Sequence, residues 1–312
     1  MPELLATLAS RQLLVVTGKG GVGKTTVAVA LATVLADAGR RTLVLEVDPR
    51  ENAHRMLGVA PSGGEVAKVR PRLFLQNLRP RAVLDQVVRE QVRIGPVVKR
   101  ILASEVYRHF AEGAPGFKEL AILGHALRLV RGIERIVPPP RARRGAPAAE
   151  PDVDVVVLDA PATGHGLSLL LAPRLTAQTV GKGPFGYLAG ELATMIDDPA
   201  CTGVVVVTGG EEMPMQEALE LLERLRRELG REAEAVVVNG LFPPFPASES
   251  VADAVGRLWH DRRAVNDREL ARLAAVWSGP LRLLPQLPLD SGPRLVGTLA
   301  ALLAASAAEV AS

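Results

Sequence analysis

A glycine-rich loop with two lysines lies near the start of the chain and constrains its fold more than any other feature. Residues 18–25 read Gly-Lys-Gly-Gly-Val-Gly-Lys-Thr and fit the pattern G-x-x-x-x-G-K-S/T. An apolar run at 11–17 precedes this loop, and a run with helical spacing at 24–38 follows it. This order predicts a buried strand, a phosphate-binding loop and a helix whose N-terminus faces the phosphates.

The loop predicts a role for each of its residues. Lys24 is expected to reach the β- and γ-phosphates of a nucleotide, and Thr25 to give its hydroxyl to Mg²⁺. Backbone N–H groups of the loop are expected to surround the phosphates. The other nucleotide-binding residues predicted here are Gly18, Lys19, Gly20, Gly21, Val22, Gly23 and Thr26.

The same loop also satisfies G-x-G-x-x-G, the pattern of dinucleotide-binding folds. In that alternative Glu46, at the end of the next apolar run, would accept a hydrogen bond from a ribose hydroxyl. It leaves Lys24 and Thr25 without a purpose, whereas the phosphate-loop interpretation uses every residue. We therefore favour the phosphate loop.

Apolar runs alternate with helical patterns along much of the chain. Buried strands are predicted at 11–17, 41–47, 153–158, 204–208, 235–239 and 281–284, and the clearest later helix at 215–229. This pattern predicts an α/β fold, a doubly wound and mainly parallel sheet in a single domain over residues 1–312.

A stretch of roughly 100 residues separates the second and third strong strands, far more than a simple crossover needs. Helical spacing at 81–94, 96–110 and 117–137 predicts a helical insert over 79–137. The proline- and arginine-rich segment 138–151 is predicted to be a flexible linker back to the core.

Composition limits the class of protein. The chain is 48% hydrophobic and 23% charged, as in globular proteins, and no apolar stretch reaches the ~20 residues of a membrane helix. Without an export signal at residues 1–10, a cytoplasmic location is expected. Residues 66–150 hold 17 Lys/Arg against 7 Asp/Glu. This excess favours solvated helix faces, with a surface for an acidic partner, an anionic membrane or nucleic acid as the alternative. The absence of an aromatic run among these charges disfavours single-stranded nucleic acid.

Two aspartates follow predicted strands directly. Asp48 comes after the strand at 41–47 and Asp159 after the strand at 153–158. Ligands of open α/β sheets bind along this carboxyl edge. A carboxylate there can orient an attacking water or hold Mg²⁺, although either aspartate could also cap a helix.

The segment from Lys19 to Thr26 resembles the deviant phosphate loop of a class of dimeric ATPases. That class includes septum-site, chromosome-partition, nitrogenase-iron and arsenite-pump proteins. The resemblance implies that Lys19 reaches across a dimer interface to the partner's nucleotide, so that Lys19, Lys24 and Asp48 form the catalytic set. The alternative is that Lys19 contacts only its own phosphates.

The segment Asp159-Ala-Pro-Ala-Thr-Gly-His165 is similar to switch II of the arsenite-pump and tail-anchored-protein-targeting ATPase family. Segments similar to those of the family also lie before it at 115–119 and after it at 238–239 and 284–288, and together these landmarks run in family order. The resemblance implies that Asp48 positions the hydrolytic water and that Thr25, Asp48 and Asp159 serve Mg²⁺. The other implied residues are Asn239, Pro285 and Leu287 around the base of ATP or ADP, and Asn52, Pro161, Gly164 and His165 in the switches.

The chain also departs from that family. Switch I reads Asp-Pro-Arg-Glu-Asn at 48–52, without the family's histidine, which puts the turnover rate in doubt. The only cysteine, Cys201, excludes a zinc-stapled dimer and disfavours an arsenite site. The insert contains no methionine, so it is interpreted as a docking module for a protein partner rather than for membrane helices.

These features predict a Mg-dependent ATP-hydrolysing switch protein, a homodimer or a heterodimer with a related subunit, that couples nucleotide to a protein client. Two alternatives stay open. One is a nucleotide-gated scaffold with weak or no turnover, and the other is a partition-type ATPase that uses its basic insert on DNA.

Overall fold

The computed structural model describes residues 3–48, 50–92, 94–105, 107–108, 113, 116–134, 152–161, 165–180, 184–244 and 254–305. The expected linker at 138–151 lies outside these residues, as do Gly164 and the side chain of His165. The strands are β1 (Leu13–Gly18), β2 (Thr42–Glu46), β3 (Ala67–Arg70), β4 (Leu73–Asn77), β5 (Val155–Asp159), β6 (Thr202–Gly209), β7 (Ala235–Leu241) and β8 (Leu281–Pro285).

Helices fill most of the chain between the strands. They are α1 (Glu3–Ser10), α2 (Lys24–Asp37), α3 (Ala53–Leu57), α4 (Pro80–Gln91), α5 (Gly95–Ala103), α6 (Phe117–Val130), α7 (His165–Val180), α8 (Pro184–Asp197), α9 (Glu212–Arg224), α10 (Ala254–Ala274) and α11 (Pro293–Ala304). A π-helical turn, Leu225–Leu229, continues α9, so the helix predicted at 215–229 changes its hydrogen bonding in the last turn. No helix in the described ranges is long and apolar enough to cross a membrane.

The described strands form one mixed sheet in the order β3-β4-β2-β5-β1-β6-β7-β8. All neighbours pair in parallel except β3 and β4, which form an antiparallel hairpin at the edge. The predicted α/β fold is confirmed. The hairpin was not predicted, because β3 is short and half polar and lacks the apolar run by which the other strands were found.

Each face of the sheet packs against its own layer of helices. In β1, Leu13 and Val15 contribute to one core with α6, α7 and α9, while Leu14 and Val16 contribute to a second core with α1, α2 and α11. This alternation follows from the two-residue period of a strand. Burial on both faces explains why the parallel strands are almost purely apolar in sequence.

Two helices between β4 and β5 are shorter than the sequence predicts. The helix expected at 96–110 ends at Ala103, where the Ser104 hydroxyl accepts a hydrogen bond from the Tyr107 backbone N–H and begins a new turn. The helix expected at 81–94 ends at Gln91, since Val92 is extended and Pro96 already lies in the first turn of α5. That residues 79–137 form a subdomain remains a prediction.

The parallel register aligns polar residues at the carboxyl edge of the sheet. Asn77 of β4 pairs with Glu46 of β2, Glu46 pairs with Asp159 of β5, and Asp159 pairs with Val16 of β1. Two residues beyond Val16 the chain enters the glycine-rich loop. The fold therefore brings two acids and the loop to one edge.

Candidate functional site

The glycine-rich loop is held close to the sheet by its backbone. Gly18 has φ of 144°, and a Cβ built there would lie 2.0 Å from the carbonyl oxygen of Val207. Gly23 has φ of 87° and caps α2, and its Cβ would lie 2.4 Å from Nδ2 of Asn239. Only glycine fits both positions, and α2 begins directly at Lys24 with its N–H groups facing the loop.

Lys24 lies inside the loop. Its side chain is buried, and Nζ donates a hydrogen bond to the Lys19 carbonyl oxygen at 2.9 Å. Burial lowers the pKa of Lys24, and the nearby charges of Asp159 and Asp48 partly oppose that shift. The ammonium is therefore a desolvated cation with two further protons to donate.

Thr25 and Asp159 form the second part of the site. Thr25 Oγ1 donates to Asp159 Oδ2 at 2.6 Å, while Asp159 Oδ1 is buried and accepts no hydrogen bond from the described residues. Burial raises the pKa of Asp159 to about 6, although the Thr25 hydrogen bond and the charge of Lys24 lower it. A buried carboxylate oxygen without a partner, beside a hydroxyl, is a set of hard oxygen ligands that fits Mg²⁺. The described residues contain no cluster of three His, Cys, Asp or Glu that could hold a metal by themselves.

Asp48 lies at the open side of the same edge. Its side chain is exposed, and Oδ1 accepts a hydrogen bond from the Arg50 backbone N–H at 2.8 Å. Its carbonyl oxygen accepts one from Asn77 Nδ2 at 2.6 Å. The carboxylate is thus oriented through one oxygen and keeps the other free to bind a water.

Glu46 and Asn77 form a buried pair that fixes the chain after Asp48. Glu46 Oε1 accepts hydrogen bonds from the backbone N–H groups of Asn52 at 2.8 Å and Ala53 at 3.3 Å. Glu46 Oε2 accepts one from Asn77 Nδ2 at 3.3 Å. Burial raises the pKa of Glu46, and these hydrogen bonds oppose the shift. Because both oxygens are engaged with the protein, Glu46 is not placed as the ribose acceptor that the dinucleotide alternative required.

Lys19 points away from this site. Its Nζ lies 2.7 Å from Oε1 of Glu217 on α9, in a separate recess of about 320 Å³ that Thr17, Gly166 and Arg224 also line. Lys19 is therefore held on the outer side of the loop, while Lys24 lies on the inner side.

A cleft of about 450 Å³ joins the loop to the two aspartates. Nine of the predicted site residues line it: Gly21, Gly23, Lys24, Thr25, Thr26, Asp48, Asn52, Asp159 and Pro161. Sequence reasoning missed four further lining residues, Arg55, Met56, Ala160 and Ser291. Arg55 and Met56 lie on α3, a five-residue helix too short to leave a periodic signal.

The remaining predicted residues lie beside the cleft. Gly18 and Lys19 line the separate recess, Gly20 lies between the two sites in the loop, and Val22 is buried in the core that α2 shares. Asn239 Nδ2 donates to the Val22 carbonyl oxygen at 2.9 Å. Pro285 pairs with Leu241 at the end of β8, and Leu287 packs against the α2 side of the core. The structure thus places Asn239 behind the loop, and contact of Asn239, Pro285 and Leu287 with a base remains a prediction.

Comparison with known proteins decides the family. Residues 11–183 match the model of the ArsA ATPases, described as anion-transporting ATPases. The chain belongs to this family. It is therefore an ATPase that hydrolyses ATP, and the predicted family resemblance is confirmed.

Curated relatives extend the likeness beyond the matched region. ATPase BagA of Mycobacterium tuberculosis is 28% identical over 261 residues, which cover 79% of this chain and 70% of that protein. ATPase asna-1 of Caenorhabditis elegans is 24% identical over 302 residues, 81% of this chain and 80% of that protein. The arsenical pump-driving ATPase of Acidiphilium multivorum is 26% identical over 88% of this chain, which spans only 45% of that protein.

Proposed function

We propose that this ATPase is a Mg-dependent switch that dimerises around nucleotide and couples ATP hydrolysis to the binding of a protein client or partner. The observation that carries the proposal is the divergence of the two loop lysines. Lys24 lines the cleft, whereas Lys19 pairs with Glu217 on the outer side of the same loop. An outward lysine on a phosphate loop is free to reach the nucleotide of a second subunit once its partially exposed ion pair opens.

The inner residues support hydrolysis within one subunit. Lys24 and the loop N–H groups would bind the β- and γ-phosphates, and the free oxygen of Asp48 would orient the attacking water. Thr25 and Asp159 would hold Mg²⁺, which, when bound, neutralises charge on the phosphates. Asp48 and Asn52 follow β2 and line the cleft, so the loss of the terminal phosphate would first change the conformation of this segment.

The helical segment at 79–137 is the proposed docking module for the client. Ile94 and Val97 are exposed by 63% and 43% on or beside α5, in the most basic part of the sequence. Apolar side chains amid positive charge suit an acidic protein surface. The partner subunit could be a second copy of this chain or a related ATPase.

The test follows ATP turnover with Mg²⁺ and molecular mass in ATP and in ADP. Wild type should hydrolyse ATP and form a dimer in ATP, Asp48→Asn should bind ATP and dimerise without turnover, and Lys19→Ala should lose both turnover and ATP-linked dimerisation. Lys68→Ala, which removes an exposed lysine on the edge strand β3, is the matched control and should behave as wild type. A Lys19→Ala variant that hydrolyses ATP and dimerises normally would overturn the proposal.

A further inference from the structure

Arg55 is a cation in the ATP cleft to which neither the loop motif nor the switches assign a role. It lies on α3, lines the cleft together with Lys24, Asp48 and Asp159, and its side chain is exposed. Within the described part of the chain, no carboxylate forms an ion pair with it.

The structure fixes the direction in which α3 presents Arg55. Ala53 is fully buried, and Met56 and Leu57 pack against the core that α2 and α11 share. Glu46 accepts the N–H groups of Asn52 and Ala53, which holds the first turn of the helix. Ala53, Met56 and Leu57, at i, i+3 and i+4, form the packed face of this short helix, and Arg55 lies on a side that lines the cleft.

The charges of the cleft lining favour an anion beside Arg55. Asp48 and Asp159 contribute two negative charges when ionised, and Lys24 contributes one positive charge. Arg55 brings the lining to neutrality, which reduces repulsion of a phosphate chain beside the two acids. Lys19, the other cation of the loop, does not line this cleft and cannot replace it within one subunit.

We propose that Arg55 contacts the terminal phosphate of ATP within its own subunit and stabilises the charge that develops there during hydrolysis. A guanidinium donates up to five hydrogen bonds in a planar fork that matches phosphate oxygens. Arg55 follows Asp48 by seven residues, on the helix α3 that comes directly after switch I, so loss of the terminal phosphate would release both. This inference rests on the proposed function, because it specifies a residue of the same ATP site.

The test compares Arg55→Ala, Arg55→Lys and the control Arg294→Ala. Arg294 is an exposed arginine in the first turn of α11, next to α3 but outside the cleft lining. Affinities for ADP and for a non-hydrolysable ATP analogue are measured by calorimetry, with kcat, KM and thermal stability. Arg55→Ala should lower kcat at least about tenfold and lower the affinity for the ATP analogue about tenfold, while the affinity for ADP stays within about twofold of wild type. Arg55→Lys should be intermediate, and Arg294→Ala should match wild type.

Equal losses for ADP and the ATP analogue, or unchanged kcat and affinities, would overturn the assignment of Arg55 to the terminal phosphate. If Arg55→Ala lost thermal stability, Arg55→Gln would provide the same comparison with a longer side chain. If wild type showed no turnover, the proposed function would fail. The difference between ADP and analogue affinities would still test Arg55 by itself.

Discussion

Glu46 offers the sharpest test of how switch I is held, because one buried carboxylate anchors three donors. Replacing it by alanine would leave the N–H groups of Asn52 and Ala53 and one Asn77 donation without their acceptor. Ala53 is fully buried, so water cannot easily replace the lost bond there. We predict that Glu46→Ala destabilises the fold and slows ATP turnover.

The magnitude follows from these contacts. Each unsatisfied buried donor costs about 1–3 kcal/mol, but removal of a buried carboxylate, whose pKa burial raises, returns part of that cost. The net loss for Glu46→Ala should be about 2–4 kcal/mol in the free energy of unfolding. Glu46→Gln keeps one acceptor but places an amide N–H₂ against Asn77 Nδ2, which is also committed to the Asp48 carbonyl oxygen. That variant should lose about 1–2 kcal/mol.

Urea denaturation and steady-state turnover provide the assay. Glu51→Gln is the matched control, since Glu51 also accepts two backbone N–H groups, those of Ser62 and Gly63, but at the surface. It should change stability by no more than about 0.5 kcal/mol. If both Glu46 variants had the urea midpoint and the kcat of wild type, the hydrogen bonds of Glu46 to Asn52, Ala53 and Asn77 would not hold switch I.

The pH dependence of the Glu46→Gln effect has a definite sign. Because burial raises the pKa of Glu46 above 4.5, the folded protein keeps this proton at pH values where the unfolded chain has lost it. Wild type therefore loses this contribution to stability as the pH rises through that interval. The cost of Glu46→Gln should be larger near pH 4.5 than at neutral pH, and a cost that grows toward neutral pH would contradict the argument.

Two further predictions follow from the glycine-rich loop and from the ion pair of Arg41 with Asp154, which lies just before β5. Gly23→Ala should weaken nucleotide binding, measured by calorimetry, and lower the free energy of unfolding by about 1–3 kcal/mol, measured by urea denaturation. Adding Asn239→Ala should restore part of the lost stability, because it removes the Nδ2 that a Cβ at position 23 would meet at 2.4 Å. Asp154→Asn should lower the free energy of unfolding by about 1 kcal/mol at neutral pH. Asn239→Ala serves as a control here, since it should not restore stability to the Asp154→Asn variant. Burial raises the pKa of Asp154, but the hydrogen bonds and charge of Arg41 outweigh burial, so the pKa is lower than usual in the folded protein. The stabilisation by the Arg41–Asp154 pair is therefore present above pH 3.8 and is lost as the pH falls and the folded protein takes up this proton. Identical acid-unfolding midpoints for wild type and Asp154→Asn would argue against the ion pair.

The parts of the site that depend on local pattern could be predicted from the sequence. Glycines at fixed offsets, Lys24 and Thr25 opening a helix, and Asp48 and Asp159 after apolar runs all belong to segments whose periodicity is visible. The doubly wound fold followed from the same alternation, and the sheet order confirms it.

The parts that depend on long-range pairing could not be predicted. Asn77 reaches Glu46 across 31 residues of sequence because β4 lies beside β2, and the β3–β4 hairpin carries too little apolar signal to reveal that neighbour. Arg55 lines the cleft on a short helix whose first turn Glu46 holds, and neither the helix nor this contact is visible as a sequence pattern. Lys19 shows the same limit, since its pairing with Glu217 joins the loop to a helix nearly 200 residues later.

The most direct test of the switch mechanism mixes two inactive variants, Lys19→Ala and Asp48→Asn. If Lys19 acts across the dimer, each mixed dimer contains one complete site, in which the Lys19→Ala subunit keeps Asp48 and receives Lys19 from its partner. An equal mixture should then recover turnover, up to roughly one quarter of the wild-type rate at saturating ATP. Random pairing would make about half of the dimers mixed with one active site each, and the loss of one Lys19 contact lowers the mixed fraction below that value. No recovery, with mixed dimers demonstrated by mass, would show that Lys19 serves its own nucleotide and would contradict the account.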